Sequence, residues 1–172
     1  PIVQTGMGYV SDARLTAATA AAGGLGIIAG GMLSYGELEQ AINHVKDHTD
    51  APFGVNLRAN QEDIDRRLDL LIRSGVKVAS FALAPKRDLI AKLKDAGLVV
   101  VPSIGARRHA EKVAEWGVDA VVVQGGEGGG HTGAVPTSLL LPQVVDAVDI
   151  PVIAAGGYFD GRGLVSALAY GA

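Results

Sequence analysis

His131 is the histidine of this chain best placed to do chemistry. It lies in the stretch Gln124-Gly125-Gly126-Glu127-Gly128-Gly129-Gly130-His131-Thr132-Gly133, which follows directly on the apolar run Ala120–Val123. An imidazole changes charge near neutral pH, which makes it a ready base or proton donor there. Glu127 is the only other titratable group of the loop and the alternative base. A loop this rich in glycine is costly to order, by up to about 1 kcal/mol per residue relative to alanine. Such a cost makes sense where a flat or phosphorylated ligand must lie against bare backbone. The same shortage of side chains recurs in Thr5-Gly6-Met7-Gly8 and in Gly156-Gly157, each at the end of another apolar run, while Asn56-Leu57-Arg58 ends a third. Gly156-Gly157 followed by a helix starting near Asp160 has the layout of an anion site, with backbone N–H groups and a helix dipole facing a phosphate. An ordinary turn between strand and helix would use the same residues.

The remaining candidates read as scaffold. His44, His48 and His109 fall in helical or polar stretches without ligand spacing to carboxylates, so no metal site is expected. The chain has no cysteine, which excludes a thiolate nucleophile, a thiolate zinc site and a disulfide framework. A cysteine-free chain suits a reducing compartment, and a cytoplasmic location is expected. Asp63, Asp65, Arg66 and Arg67 read as the solvated face of a helix, and Trp116 as packing. With 15 Lys+Arg against 18 Asp+Glu and a net charge of -3, the chain carries no basic footprint for nucleic acid. A small-molecule substrate is the expected partner, with a homodimer as a possible assembly. Positions Leu15 to Gly36 carry no charge, but Gly23-Gly24 and Gly30-Gly31 divide them into a helix, a turn and a buried strand, not a membrane span.

These residues are held by a repeated unit. Nearly continuous apolar runs occur at Ile2–Gln4, Leu25–Ala29, Phe53–Leu57, Val76–Leu83, Leu98–Val101, Ala120–Val123 and Val152–Ala155. Runs apolar at successive positions suit strands buried on both faces, the mark of a parallel sheet covered by helices. Between them lie helix patterns: Ser34 and Glu37 as a capping box ahead of Leu38, Ile42 and Val45, and Asn60 as the cap of a helix with Ile64, Leu68, Leu71 and Ile72 on its stripe. Leu89, Ile90 and Leu93 lead to Gly97, and Ala110, Val113 and Ala114 lead to Gly117, each glycine standing where a left-handed residue ends a helix. Asp160 caps a last helix with Leu164, Ala167 and Leu168 inward, stopping at Gly171. Gly75, Gly97 and Gly117, at intervals of 97 − 75 = 22 and 117 − 97 = 20 residues, mark a βα repeat. Seven such units fit an α/β fold, a TIM (β/α)8 barrel with its eighth βα unit missing, whose working face is built at the C-terminal ends of the strands.

Taken together, several segments resemble the nitronate monooxygenase family, also called 2-nitropropane dioxygenase-like, and its relatives the flavin-dependent enoyl-thioester reductases. They are Pro1-Ile2-Val3-Gln4 with Met7, Ala22-Gly23-Gly24-Leu25-Gly26, Pro52-Phe53-Gly54-Val55-Asn56, Gln124-Gly125 through His131-Thr132-Gly133, Ile150 through Gly157, and Asp160-Gly161-Arg162-Gly163. The resemblance spans nearly the whole chain. It implies that residues 1–172 form one FMN-binding TIM-barrel domain, lacking N- and C-terminal parts of the family's fold, the eighth strand and its phosphate segment included. It implies flavin contacts at Gly6, Met7, Asn56, Gln124, Gly125, Gly129, Gly130, Gly156 and Gly157, and a catalytic role for His131. The implied activity is oxidation of a nitronate or nitroalkane with O2. The alternative is an NAD(P)H-dependent flavin oxidoreductase acting on an enoyl or cyclic thioester of coenzyme A or acyl carrier protein. Gly6 stands where nitronate oxidases commonly carry proline, which is closer to the reductase pattern. A non-redox phosphate-binding barrel, an isomerase or a lyase, is the reading that needs no flavin.

Overall fold

The computed structural model describes residues 2–130 and 133–172. Among the described residues, seven strands alternate with helices: β1 (Val3–Gln4), α1 (Ala13–Ala21), β2 (Leu25–Ile28), α2 (Tyr35–His48), β3 (Gly54–Leu57), α3 (Ile64–Arg73), β4 (Val78–Phe81), α4 (Arg87–Asp95), β5 (Val99–Ile104), α5 (Arg107–Glu115), β6 (Val121–Gln124), α6 (Thr137–Val145), β7 (Val152–Ala155) and α7 (Gly161–Ala169). A 3-10 turn, Gly30–Met32, lies between β2 and α2. The expected α/β fold, built of βα units, is the observed one.

Contacts group the chain into two compact units. The first runs to Ala82 and includes Lys92–Val100; the second comprises Leu83–Ala91 and Val101–Ala172. In the first, β1, β2, β3 and β4 pair in sequence order and in parallel, with Val3 opposite Leu25, Ile27 opposite Gly54 and Asn56 opposite Ser80. In the second, β5, β6 and β7 do the same, with Ser103 opposite Val122 and Gln124 opposite Ala155. All four residues of β4 are buried, the double-sided burial that a continuous apolar run predicts.

The local signals behave as their chemistry requires. The capping box of Ser34 and Glu37 is formed in full, and α2 buries Leu38, Ile42 and Val45. Gly75, Gly97 and Gly117 adopt φ of +73, +79 and +84°, the left-handed backbone that turns each helix into its following strand. Gly26 is glycine for a packing reason: a Cβ there would run into the carbonyl oxygen of Thr16, so α1 can lie directly on β2.

Four details differ from the sequence expectation. Asn60 does not cap α3, which starts at Ile64; Gln61 closes the preceding turn instead, its Oε1 accepting from the Arg58 N–H (3.1 Å) while its own N–H donates to the Arg58 carbonyl (3.2 Å). Arg67 is not on a solvated face but buried, 4% exposed. β5 continues through Pro102, because its ladder with β6 is made by Ser103 and Ile104 beyond the proline. On α7 only Ala167 is buried, while Leu164 and Leu168 are exposed. The close contacts there are made at small residues, Ala167 buried in the helix, a Cβ at Gly163 falling 3.0 Å from Tyr158 Cδ1 and one at Gly171, beyond the helix, 2.8 Å from Val145 Cγ1.

Candidate functional site

The first unit carries Gly6, Met7 and Asn56 at the C-terminal ends of β1 and β3. Asn56 is oriented from both sides. Its Nδ2 donates to Ser80 Oγ at 3.0 Å, across the β3–β4 register, and a Cβ at Gly6 would overlap Asn56 Cβ. One of the two N–H donors of the amide is thereby engaged by Ser80. The segment at Met7 is held by Ser11, which is 2% exposed. Its hydroxyl accepts from the Met7 N–H (2.9 Å) and from Gln4 Nε2 (2.8 Å) and donates to the Thr5 carbonyl (2.7 Å). Gln4 Nε2 also donates to the Ile27 carbonyl (3.1 Å). Gln4 Oε1 is buried without a hydrogen-bond partner.

The second unit carries the other predicted contacts. Gln124, the last residue of β6, donates from Nε2 to the Gly129 carbonyl at 2.6 Å and so closes the glycine loop onto its own strand. The loop is pinned further by Gly126 N–H to Val135 O (2.9 Å), Gly128 N–H to Gly125 O (3.1 Å) and Gly125 N–H to Ala155 O (3.3 Å). The glycines here and after β7 include two kinds. At Gly125 a Cβ would collide with the backbone and hydroxyl of Thr137, and at Gly156 it would lie 2.8 Å from the Gly128 nitrogen. These two are glycine because protein comes close. Around Gly129 and Gly130, by contrast, the space a Cβ would enter holds no atom of any described residue within 4 Å, their chain neighbours aside. Those are the bare-backbone positions. Gly156 and Gly157 have φ of +97 and +83°, a turn that other residues enter only with strain.

Glu127 has a structural task. Its Oε2 accepts from the Thr137 N–H (2.7 Å) and the Thr137 hydroxyl (2.8 Å), which ties the loop to the first turn of α6. The backbone N–H of Thr137, followed by its hydroxyl, holds the carboxyl below the ordinary glutamate value, so Glu127 makes a poor base at neutral pH. At α7, the Asp160 carboxylate accepts from the Arg162 N–H (3.0 Å) and pairs with its guanidinium (2.5 Å). The Arg162 side chain, followed by its backbone N–H, lowers the Asp160 pKa. The protein's own carboxylate thus fills the first turn of that helix, leaving the Gly156-Gly157 turn as the anion contact the sequence offers there.

His131 lies outside the described residues. His44 and His48 stack on one another with ring centroids 4.1 Å apart, and among the described residues no group of His, Asp and Glu is arranged to hold a metal ion. No helix among them is long and apolar enough to cross a membrane.

Ser11, Ser80, Thr137 and Arg67 escaped the sequence reading. Ser80 is the polar member of a buried apolar run, and Arg67 falls on the stripe defined by Ile64 and Leu71, three residues after one and four before the other. Both signals were there to be used. Ser11 and Thr137 gave none, since what marks them is the partners the fold brings to them, the Met7 N–H, the Thr5 carbonyl and the Gln4 amide for Ser11 and the Glu127 carboxylate for Thr137.

The family model described as nitronate monooxygenase matches residues 1–65 and 60–172. The chain belongs to the nitronate monooxygenase family. It is 69% identical to a (3aS,4S,5R,7aS)-5-hydroxy-7a-methyl-1-oxo-octahydro-1H-indene-4-carboxyl-CoA dehydrogenase of Rhodococcus jostii, over all of this chain and 49% of that protein. It is 34% identical to a probable nitronate monooxygenase of Bacillus subtilis, over all of this chain and 62% of that protein. The chain therefore spans about half the length of the first of these and less than two thirds of the second. Among solved structures, FabK from Thermotoga maritima superposes with a TM-score of 0.96 at 40% identity, covering all of this chain and 55% of that one. A nitroalkane oxidase from Streptomyces ansochromogenes gives 0.93 at 33% identity, with 62% of its chain covered. The fold is that of this barrel family, represented here by seven βα units.

Proposed function

We propose that this chain is the flavin-binding part of an FMN-dependent oxidoreductase acting on a coenzyme A thioester. The observation that carries the substrate class is the 69% identity, along the whole chain, to a relative whose name makes it a carboxyl-CoA dehydrogenase. This favours the second of the two flavin readings of the sequence over nitronate oxidation. Gly6 supports the choice: a Cβ there would displace Asn56, so the proline usual in nitronate oxidases does not suit this arrangement.

The residues fit a flat, phosphorylated group. Within the first unit Asn56 has one Nδ2 hydrogen on Ser80 and its Oδ1 available; within the second, no other described residue beyond the chain neighbours obstructs Gly129 and Gly130, and Gly156-Gly157 form a side-chain-free turn. In this reading Gly6, Met7, Asn56, Gln124, Gly125, Gly129, Gly130, Gly156 and Gly157 form or support the FMN site. When bound, FMN supplies the two-electron redox chemistry. The chain's part is to bind, orient and manage a proton. His131 is the residue assigned to proton transfer, since Glu127 is engaged as the anchor of α6.

Nitronate oxidation stands as the second reading on the strength of the family model and of the probable nitronate monooxygenases among the relatives. In that case His131 would take the proton from the carbon bearing the nitro group of a nitroalkane, or orient a nitronate that has already lost it. The test is anaerobic reduction of the flavin in the full-length protein by the hydroxyacyl-CoA named for the relatives, by NADH or NADPH, and by a nitronate. Bleaching by the thioester or by a reduced nicotinamide supports the proposal; bleaching by the nitronate alone overturns it in favour of the second reading. Release of FAD overturns the FMN assignment. A full-length protein that binds no flavin returns the site to non-redox phosphate chemistry.

A further inference from the structure

The 3-10 turn Gly30–Met32 lies at the C-terminal end of β2 and packs closely on its neighbours in the first unit. A Cβ at Gly30 would stand 3.1 Å from the Asn56 carbonyl oxygen and 2.8 Å from Val55 Cγ1. One at Gly31 would stand 3.3 Å from Arg58 Cγ, and one at Gly8 3.5 Å from Met32 Cγ. The turn is thus packed between the segment after β1, which carries Met7, and the C-terminal end of β3, which carries Asn56. It is also joined to the first by backbone, through Ala29 N–H to Ser11 O at 2.9 Å, and Ser11 in turn holds Met7.

Leu38 Cδ1 also lies against it, 3.1 Å from a Cβ at Gly30, and Arg67 holds it by a hydrogen bond. Arg67 of α3 donates from Nη1 to the Gly30 carbonyl at 3.2 Å and from Nε to Asp63 Oδ1 at 2.8 Å. A guanidinium withdrawn from water is retained only where its N–H groups find partners, and burying it on an outer helix gains nothing that a leucine would not. What leucine lacks is a donor for Gly30. We propose that Arg67 is a positioning residue, which fixes the Gly30–Met32 turn and through it the segments that carry Met7 and Asn56; its effect on FMN rests on the flavin reading above.

The test uses the full-length protein with Arg67→Met, Arg67→Lys and, as a control for lost stability, Leu71→Ala on the same helix, each titrated with FMN well below its Tm. Arg67→Met is expected to weaken FMN binding about tenfold, the loss of one hydrogen bond from a charged group. Leu71→Ala should lower Tm and leave the affinity within about twofold, a change of under 1 kcal/mol. Arg67→Lys should fall between wild type and Arg67→Met, because an ammonium keeps the charge but cannot serve Asp63 and Gly30 in the same fork. Equal FMN affinities for Arg67→Met and Leu71→Ala would make Arg67 merely structural and overturn the inference. If the wild type itself binds no FMN, the flavin reading falls and amide exchange decides alone. Arg67→Met must then speed exchange at Met7, Met32 and Leu33 beyond what Leu71→Ala does, and equal exchange overturns the inference.

Discussion

Two alanines placed four residues apart in the glycine loop should have opposite effects. At Gly125 a Cβ would overlap Thr137 Oγ1 and the Thr137 backbone, and no flexible side chain is there to yield. The junction of β6 with α6 must move, at the cost of overpacking, about 1–3 kcal/mol. For a domain of this size, at roughly 2–4 °C per kcal/mol, Tm should fall by about 2–12 °C. At Gly129 the Cβ meets no other described residue within 4 Å beyond its chain neighbours, and φ lies outside the left-handed region. Gly129→Ala should leave the apoprotein unchanged or raise its stability by up to about 1 kcal/mol through the unfolded chain. If bare backbone at Gly129 faces the flavin, the same change should weaken FMN binding, by about tenfold if the added methyl costs 1.4 kcal/mol there. Differential scanning calorimetry of the apoprotein and fluorescence titration with FMN measure the two effects separately. A Gly125→Ala protein that melts within about 1 °C of wild type, below the smallest expected shift, would refute the packing argument. A Gly129→Ala protein with wild-type affinity would remove Gly129 from the flavin site.

Ser80→Ala should release the Asn56 amide, at a cost near the lower end of about 1–3 kcal/mol because Asn56 is only half-buried, and weaken FMN binding; unchanged affinity would mean that Asn56 needs no orienting. Glu127 has its pKa lowered in the folded state from an ordinary 4.5, so its anchoring of α6 is fully present above about pH 5 and is lost as pH falls through the lower folded value. The Tm advantage of wild type over Glu127→Gln should therefore be constant near neutrality and shrink in acid, and an advantage that grows in acid would refute the linkage. Replacing His131 by alanine should lower turnover by about 10² to 10⁴ while flavin content is kept; turnover within about threefold of wild type, far short of that loss, would leave the proton transfer to another group.

Periodicity and local chemistry were enough to read the frame from sequence. Strands buried on both faces need successive apolar residues, so Val78–Phe81 and Val121–Gln124 announce themselves. Left-handed helix ends need glycine, so Gly75, Gly97 and Gly117 set the repeat. The capping box at Ser34 and Glu37 closes within four residues and needs no tertiary partner. α6 was harder to see, because Pro136 and Pro142 break up its pattern.

What only the tertiary structure decided is which partner each polar group meets. The sequence offers Glu127 as a base; the fold brings Thr137 to it, ten residues on, and makes it an anchor. The sequence gives Arg67 the look of a surface charge; the fold brings Gly30, thirty-seven residues away, within reach of its guanidinium. Asn56 and Ser80 meet because a register between parallel strands sets them opposite, and neither residue type encodes that register. Glycines show the same division: their clustering marks the loop, but whether a missing Cβ makes room for Thr137, as at Gly125, or would meet no other described residue beyond its chain neighbours, as at Gly129, depends on neighbours distant in the chain. Backbone preferences act over a few residues and are written locally. The pairing of buried polar groups is set by close packing among segments far apart in sequence, and it exists only once they have come together.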